Sequence, residues 1–258
     1  MSDPLITLSR RAALLGAAGA GGLMLAGCGK LSQSPSFRRV LATAEGWNLS
    51  AQRLLLPEGR LAPEFAKADV SPRFKANGSF TGSGDEYHRL KDGNFEDYRL
   101  TLGGLVRHPL SLSLAELRAL PARSQITRHD CVEGWSAIGG WKGAPLGLLL
   151  KSAQLLPGAR YVVFHCFDNL GGGESGLYYE SIDLNDAFHP QTILAYDMNG
   201  APLPESHGAP LRVRIERQLG YKMAKYIRSI EVVASYAGFG SGKGGFWEDR
   251  GYAWYAGI

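Results

Sequence analysis

The sequence predicts an α+β protein with a mixed sheet, on three observations. Short runs that alternate as a strand would, such as "YRLTLGGLV", are interspersed with short helical runs such as "SLAELRAL". They follow no regular βαβα order, which argues against a doubly wound parallel sheet, and there is no internal repeat. With 258 residues, 45% hydrophobic and 20% charged, the chain can bury the core of one large domain or two small ones.

The first element is "SRRAALLGAAGAGGLMLAGC", where Arg10 and Arg11 precede an apolar run that closes in small residues before Cys28. The run is too short and too rich in Gly and Ala to span a membrane convincingly, so residues 1–28 read as a twin-arginine export signal for an already folded protein. Leu25 to Cys28 also resemble a lipoprotein box, with Cys28 as the lipidated residue. Polar, Ser-rich sequence without a strong period follows, and residues 29–69 read as a tether and N-terminal wrap. Residues 70–258 form the main domain. Its first part, with "SPRFKANGSFTGSG", has the chemistry of loops.

From Tyr98 the texture changes. "YRLTLGGLV" predicts a strand, "SLAELRAL" a short helix opened by Ser113, and "APLGLLLKSAQL" an apolar helix. "ARYVVFHCFD" is a β-rich run, and "TILAYDMNG" is a strand closing on an Asn-Gly turn. "APLRVRIERQLGYKMAKYIRSIEVVA" supplies two further strands around a Gly-containing link. The tail, "GFGSGKGGFWEDRGYAWYAGI", combines glycines with large aromatics as an irregular cap.

Few residues offer chemistry. The net charge of +4 is spread without a long basic block, so nothing calls for nucleic acid. "GSGKGG" has the glycines of a phosphate loop, yet Gly244 follows Lys243 where that motif needs Ser or Thr. The six histidines never fall at the spacing that puts two ligands on one helical face, and no C-x-x-C pair exists. A zinc hydrolase and covalently attached haem are thus disfavoured, and no G-x-S-x-G marks a serine hydrolase. With Cys28 set aside, Cys131 and Cys166 could pair as a disulfide in an oxidising compartment. Alternatively, Cys131 is a soft thiolate able to hold a metal whose other ligands come from a cofactor. A basic run, His207, Arg212, Arg214, Arg217, Lys222 and Lys225, could then hold that cofactor's anionic part, with Gly220 allowing close backbone approach. Strand alternation alone gives a competing reading, with Arg212, Arg214 and Glu216 on a solvent face.

Three blocks, "CVEGWSAIGGWKGAPLGLLL", "ILAYDMNGAPLPESHGAPLR" and "LGYKMAKYIRSIEVV", together resemble the molybdopterin-binding domain of the sulfite oxidase superfamily. "CVE-x-W" is most similar to its bacterial branch of periplasmic methionine sulfoxide reductases. The resemblance covers about residues 70–236 and implies a sulfite-oxidase-type fold with a molybdenum-molybdopterin cofactor. It implies that Cys131 is the sole protein ligand of the metal, which removes the disulfide. Asn77 would meet the pterin, and Gly78 stands where sulfite oxidases often carry histidine. His207 and Arg212 would grip the cofactor, and Lys225 with the backbone of Met223 and Ala224 would form its phosphate corner. Cys166 falls beside the cofactor, where the reductase branch has threonine, or is simply a small buried residue. The implied reaction is a two-electron oxygen-atom transfer, coupled to a separate membrane haem b protein or cytochrome.

Sulfite oxidases carry arginines just after the metal cysteine, whereas this chain has "VEGWSAIGG" there, with Glu133 and no basic group. An S-oxide, an N-oxide or another small uncharged molecule is the expected substrate; sulfite dehydrogenation and a non-catalytic, lipid-anchored binding role are the alternatives. The chain ends soon after the cofactor domain, without the C-terminal β-sandwich dimerisation domain of sulfite oxidases, so a monomer is expected. Trp141 reads as core and Trp135 as a pocket residue, while Glu133 and His129 are conceivable proton carriers. Phe246, Trp247, Tyr252 and Trp254 either wall the pocket or form a docking surface.

Overall fold

The computed structural model describes residues 34–55, 59–173 and 176–258. The export signal and Cys28 lie outside them. Contacts group the chain into residues 1–51 and 52–258, and the elements from Asp85 onward belong to the second unit. Where the sequence predicts a tether, Pro35–Leu55 forms a helix, α1. Pro35 is suited to a first helical turn, and Leu, Ala, Arg and Glu supply helix propensity without the apolar period that would have announced it.

Two sheets build the second unit. The first has the order β2-β1-β10-β5-β6, from β1 (Arg99–Gly104), β2 (Leu110–Ser113), β5 (Tyr161–Asn169), β6 (Leu177–Asp183) and β10 (Ile227–Val233). β1 pairs with β10 in parallel, Thr101 facing Ser229, and the other pairs are antiparallel. The second sheet has the order β3-β4-β7-β8, from β3 (Arg123–Cys131), β4 (Trp135–Pro145), β7 (Ile193–Met198) and β8 (Ala201–Pro202). A further short strand, β9 (Arg212–Arg214), pairs with β7. The predicted mixed α+β architecture is the observed one.

The local signals act as their chemistry requires. Ser113 caps α3 (Leu114–Ala119) by accepting from Glu116 N–H at 3.1 Å, while Glu116 reaches back to Ser113 N–H at 2.7 Å. Asn199 and Gly200, at φ 52° and 83°, turn β7 into β8 as the Asn-Gly pair predicts. The apolar run at Leu146–Ala153 is α4, its buried face made by Leu146, Leu149, Leu150 and Ala153. A helix the loop-like sequence hid, α2 (Asp85–Asp92), anchors through buried Tyr87, whose hydroxyl donates to the Ala209 carbonyl at 3.0 Å. Another short helix, α5 (Leu184–Ala187), follows β6.

β9 corrects the solvent-face reading. Leu211, Val213 and Ile215 join the main hydrophobic core, which also holds Phe164, Ile230 and Tyr226. On the other side Arg212, Arg214 and Glu216 are equally buried, at 1%, 0% and 3% exposed. Their cover is Trp141 of β4, whose ring centroid lies 4.9 Å from the Arg212 guanidinium and 4.3 Å from that of Arg214. Trp141 is 2% exposed, a core residue as expected.

Candidate active site

Cys131 is the last residue of β3. β3 and β4 pair antiparallel from Arg123 opposite Gly143 to Cys131 opposite Trp135. Three residues close the hairpin, and Gly134 N–H donates to the Cys131 carbonyl at 3.0 Å. Gly134 sits at φ 83°, a conformation costly for other residues, so glycine sets the turn that ends the strand at the cysteine. The period of two puts Gln125, Thr127, His129 and Cys131 on the buried face.

Cys131 opens on a cleft of about 130 Å³. Asn77, Gly78 and Ser79 of the early loop, Glu133 of the hairpin and Asp168 of β5 also line it. Gly220, Tyr221, Met223, Ala224 and Lys225 contribute from the segment between β9 and β10, and Trp247 and Tyr252 from the tail. Six of the predicted site residues therefore converge: Asn77, Gly78, Cys131, Met223, Ala224 and Lys225. Burial pushes the Cys131 thiol up, against the pull of the Glu133 backbone N–H.

The basic run divides by partner. Arg214 is held by Glu216, with bonds of 2.9 and 2.7 Å, and Arg217 by Asp186 at 2.7 Å. Lys222 is fully enclosed between Glu180 at 2.5 Å and Glu248 at 2.6 Å, so it braces the fold and is not an anion-binding group. His207, Arg212 and Lys225 have no carboxylate at ion-pair distance among the described residues and bond instead to carbonyls. Lys225 Nζ donates to the carbonyls of Asn77 at 2.7 Å, Ser79, and Ser206 at 3.3 Å, which ties the early loop to the cleft. Arg212 donates to the carbonyls of His207 at 3.1 Å and Met223 at 3.4 Å.

Burial and mutual repulsion work against these charges. Lys225 is pulled down to about 7 by burial and then by Arg212, and Arg212 to about 9 by burial and then by Arg214. Burial, then Arg212, also lowers His207. An anion would relieve this repulsion, and two buried nitrogens, Arg212 Nε and His129 Nε2, have no partner among the described residues. The donor set, one thiol backed by Arg212 and Lys225 and by a neutral imidazole at His207, none with a carboxylate partner among the described residues, suits an anionic metal cofactor with an open thiolate position.

The remaining candidates separate. His207 and Arg212 stand behind the cleft and do not line it. Cys166, 3% exposed on β5, borders a different groove of about 840 Å³, and both cysteines are free thiols. His129 accepts from Arg214 at 3.0 Å through Nδ1, since guanidinium can only donate, and burial followed by Arg214 holds it neutral. Glu133 is tied at the mouth to Trp135 Nε1 at 3.0 Å and Lys75 at 3.1 Å. Trp135 lies outside the cleft lining, with its ring against His129 at 5.5 Å. Of the tail aromatics, Trp247 and Tyr252 wall the cleft, while Phe246 is core and Trp254 stacks on Tyr236. The "GSGKGG" amides of Ser241 and Lys243 donate to Asp249, so a side-chain carboxylate occupies the place of a phosphate. Sequence reasoning missed Asp168 and Ser79.

Residues 88–238 match the family model described as the oxidoreductase molybdopterin binding domain. The chain belongs to this family and is a molybdopterin-dependent oxidoreductase. It is 38% identical over 250 residues to an Azospira oryzae protein provisionally named protein-methionine-sulfoxide reductase subunit YedZ1, covering 96% of this chain and 88% of that protein. It is 30% identical over 223 residues to the protein-methionine-sulfoxide reductase catalytic subunit MsrP of Xanthomonas axonopodis pv. citri, covering 82% of this chain and 66% of that one. With the MsrP of Gluconobacter oxydans it shares 37% identity over 146 residues, 53% of this chain and 47% of that one. Among solved structures, the sulfane dehydrogenase SoxCD from Paracoccus pantotrophus aligns with a TM-score of 0.47 and 22% identity, over 54% of this chain and 39% of that one.

Proposed function

We propose that this chain is an exported molybdenum enzyme that reduces S-oxides, methionine sulfoxide in proteins first among them. The observation that carries the reading is Cys131 at the end of β3, facing a cleft backed by Lys225 and Arg212, neither of which has a carboxylate at ion-pair distance among the described residues. In this reading Cys131 is the single protein ligand of molybdenum. Asn77, Gly78 and the backbone of Met223 and Ala224 wall the cofactor, Lys225 and Arg212 supply positive field, and His207 offers a neutral imidazole. The cofactor, when bound, would supply oxygen-atom transfer and one-electron exchange, chemistry no side chain here can supply.

The names of the relatives and the cleft's composition both favour a sulfoxide. No arginine lines the cleft, and its mouth carries Val132 at 42% and Tyr252 at 40% exposed beside Trp247. Such a rim fits an uncharged thioether oxide better than sulfite. Reduction of the S=O bond consumes two electrons and two protons and releases water and the thioether. The electrons come from a separate haem protein. The twin-arginine signal takes the loaded, folded chain to the periplasm, Cys28 provides a lipid anchor, and the enzyme works as a monomer.

Elemental analysis of the chain exported from a molybdopterin-making host tests the reading, together with oxidation of reduced viologen by methionine sulfoxide. About one molybdenum per chain and sulfoxide-dependent turnover are expected, with both the metal's spectroscopic signature and turnover changed in Cys131→Ser. A folded wild-type chain free of molybdenum overturns the proposal.

A further inference from the structure

One tight turn of the tail carries two residues of the cleft wall. Glu248–Arg250 form a single helical turn closed by Gly251 at φ 104°, with Trp247 just before it and Tyr252 just after. Tyr252 N–H donates to the Trp247 carbonyl at 3.1 Å, the two rings lie 5.3 Å apart, and both line the cleft. Glu248, the first residue of the turn, does not line it; the carboxylate is buried and accepts from Lys222 Nζ at 2.6 Å. Lys222 in turn stands between Tyr221 and Met223, which line the cleft from the segment between β9 and β10. A buried ion pair thus joins the wall carried by the tail to the wall carried by that segment. Tyr221 reinforces the join: its hydroxyl donates to the Ala253 carbonyl at 2.6 Å, and its ring meets that of Tyr252 at 5.2 Å.

Lys222 has a second carboxylate, Glu180 of β6, at 2.5 Å. The two are not equivalent. Burial, then Glu248, raises Glu180 well above the usual carboxylate range, so the tail supplies the counter-charge of Lys222. A brace for the sheet needs only the carboxylate that the sheet provides. The one from the tail adds a hold on the turn between Trp247 and Tyr252.

We propose that Glu248 is a positioning residue for substrate binding: latched to Lys222, it fixes the turn that sets Trp247 and Tyr252 as an aromatic wall for the substrate's uncharged, sulfur-bearing group. The inference deepens the S-oxide reading of the cleft and rests on it. Aromatic rings suit such a group because sulfur and its methyl substituent are polarizable and pack on ring faces and edges.

The test compares the exported wild-type chain with Glu248→Gln, Glu180→Gln, Tyr252→Ala and the double variant of Glu248→Gln with Tyr252→Ala. Molybdenum per chain, thermal melting, kcat and KM for methionine sulfoxide, and amide hydrogen exchange over residues 246–252 are measured on each. Glu248→Gln is isosteric and leaves Lys222 with Glu180, which ionises in its place, so no buried charge is stranded. In that variant KM is expected to rise roughly tenfold, with kcat and molybdenum content close to wild type and faster exchange confined to 246–252. Tyr252→Ala raises KM likewise, and the double variant adds little to the larger single effect, because both act through one wall. Glu180→Gln leaves the tail link intact and keeps the wild-type KM. The inference is overturned if Glu248→Gln leaves KM unchanged, if Glu180→Gln raises it equally, or if the Glu248 and Tyr252 effects add in full. It is also overturned if Glu248→Gln loses melting temperature and molybdenum together, the mark of a merely structural brace. A wild-type chain that itself lacks molybdenum overturns the cofactor reading, and the exchange of 246–252 in Glu248→Gln against wild type still decides whether the latch exists.

Discussion

Arg212 and Arg214 lie two residues apart on one strand, share one indole ring, and do different work. Arg214 has its charge matched by Glu216, which also accepts from Gln125 at 2.8 Å, and it fixes the tautomer of His129. Removing Arg214 strands a buried carboxylate, so Arg214→Met is expected to cost about 3–5 kcal/mol of stability, measured by denaturant unfolding. Arg212 has no such partner, and its guanidinium supports the His207 and Met223 carbonyls. Arg212→Ala is therefore expected to keep more of the fold but to lower the molybdenum content per chain, through loss of positive field and of the support under Met223. Equal occupancy in the variant would remove Arg212 from the cofactor site. The alternation of "LRVRIE" placed both arginines on one face, but not what covers that face. That cover is Trp141, distant in sequence, and no local pattern encodes it.

The β3–β4 hairpin is the element that makes the site, since one strand end positions Cys131 and the turn closes behind it. At its opposite end the pairing of β4 with β7 shifts register between Lys142 and Gly143. A Cβ on Gly143 would lie 2.2 Å from the Leu194 carbonyl oxygen and 2.7 Å from Ala195 Cα. Those are backbone atoms of a central strand and cannot step aside, so Gly143→Ala is expected to cost about 3 kcal/mol, seen as a lower unfolding midpoint. The strands at Arg99–Gly104, Tyr161–Asn169 and Ile193–Met198 were legible because β-branched and apolar residues dominate them and turn residues bound them. β3 was not, because "RSQITRHDC" buries polar residues, Gln125, Thr127 and His129, on its inner face. A polar core inverts the usual signal, and it does so beside the site.

At the scale of the molecule, polar links bind distant segments, and one gives a pH prediction. His189 is buried, accepts from Gln191 N–H at 3.2 Å through Nδ1, and hydrogen-bonds the Arg60 carbonyl at 3.0 Å through Nε2. Burial, then Arg217, holds it below its ordinary 6.5, so below that pH the unfolded chain takes a proton that the fold resists. Its contribution is present above 6.5 and is lost as pH falls, and His189→Gln should show a shallower fall in melting temperature between about pH 7.5 and pH 5 than wild type. Equal slopes would show that the imidazole titrates normally in the fold. Sequence alone determined the α+β class and the family, and it singled out the cysteine that the fold sets on a cleft, because strand periods, turn residues and three family-like blocks are local. Only the tertiary structure decided which cations lack carboxylate partners, that Lys222 braces the fold, that Cys166 borders another groove, and that Asp168 lines the cleft. The physical reason is that charge compensation and burial depend on neighbours brought together by non-local pairings such as β1 with β10 and β9 with β7.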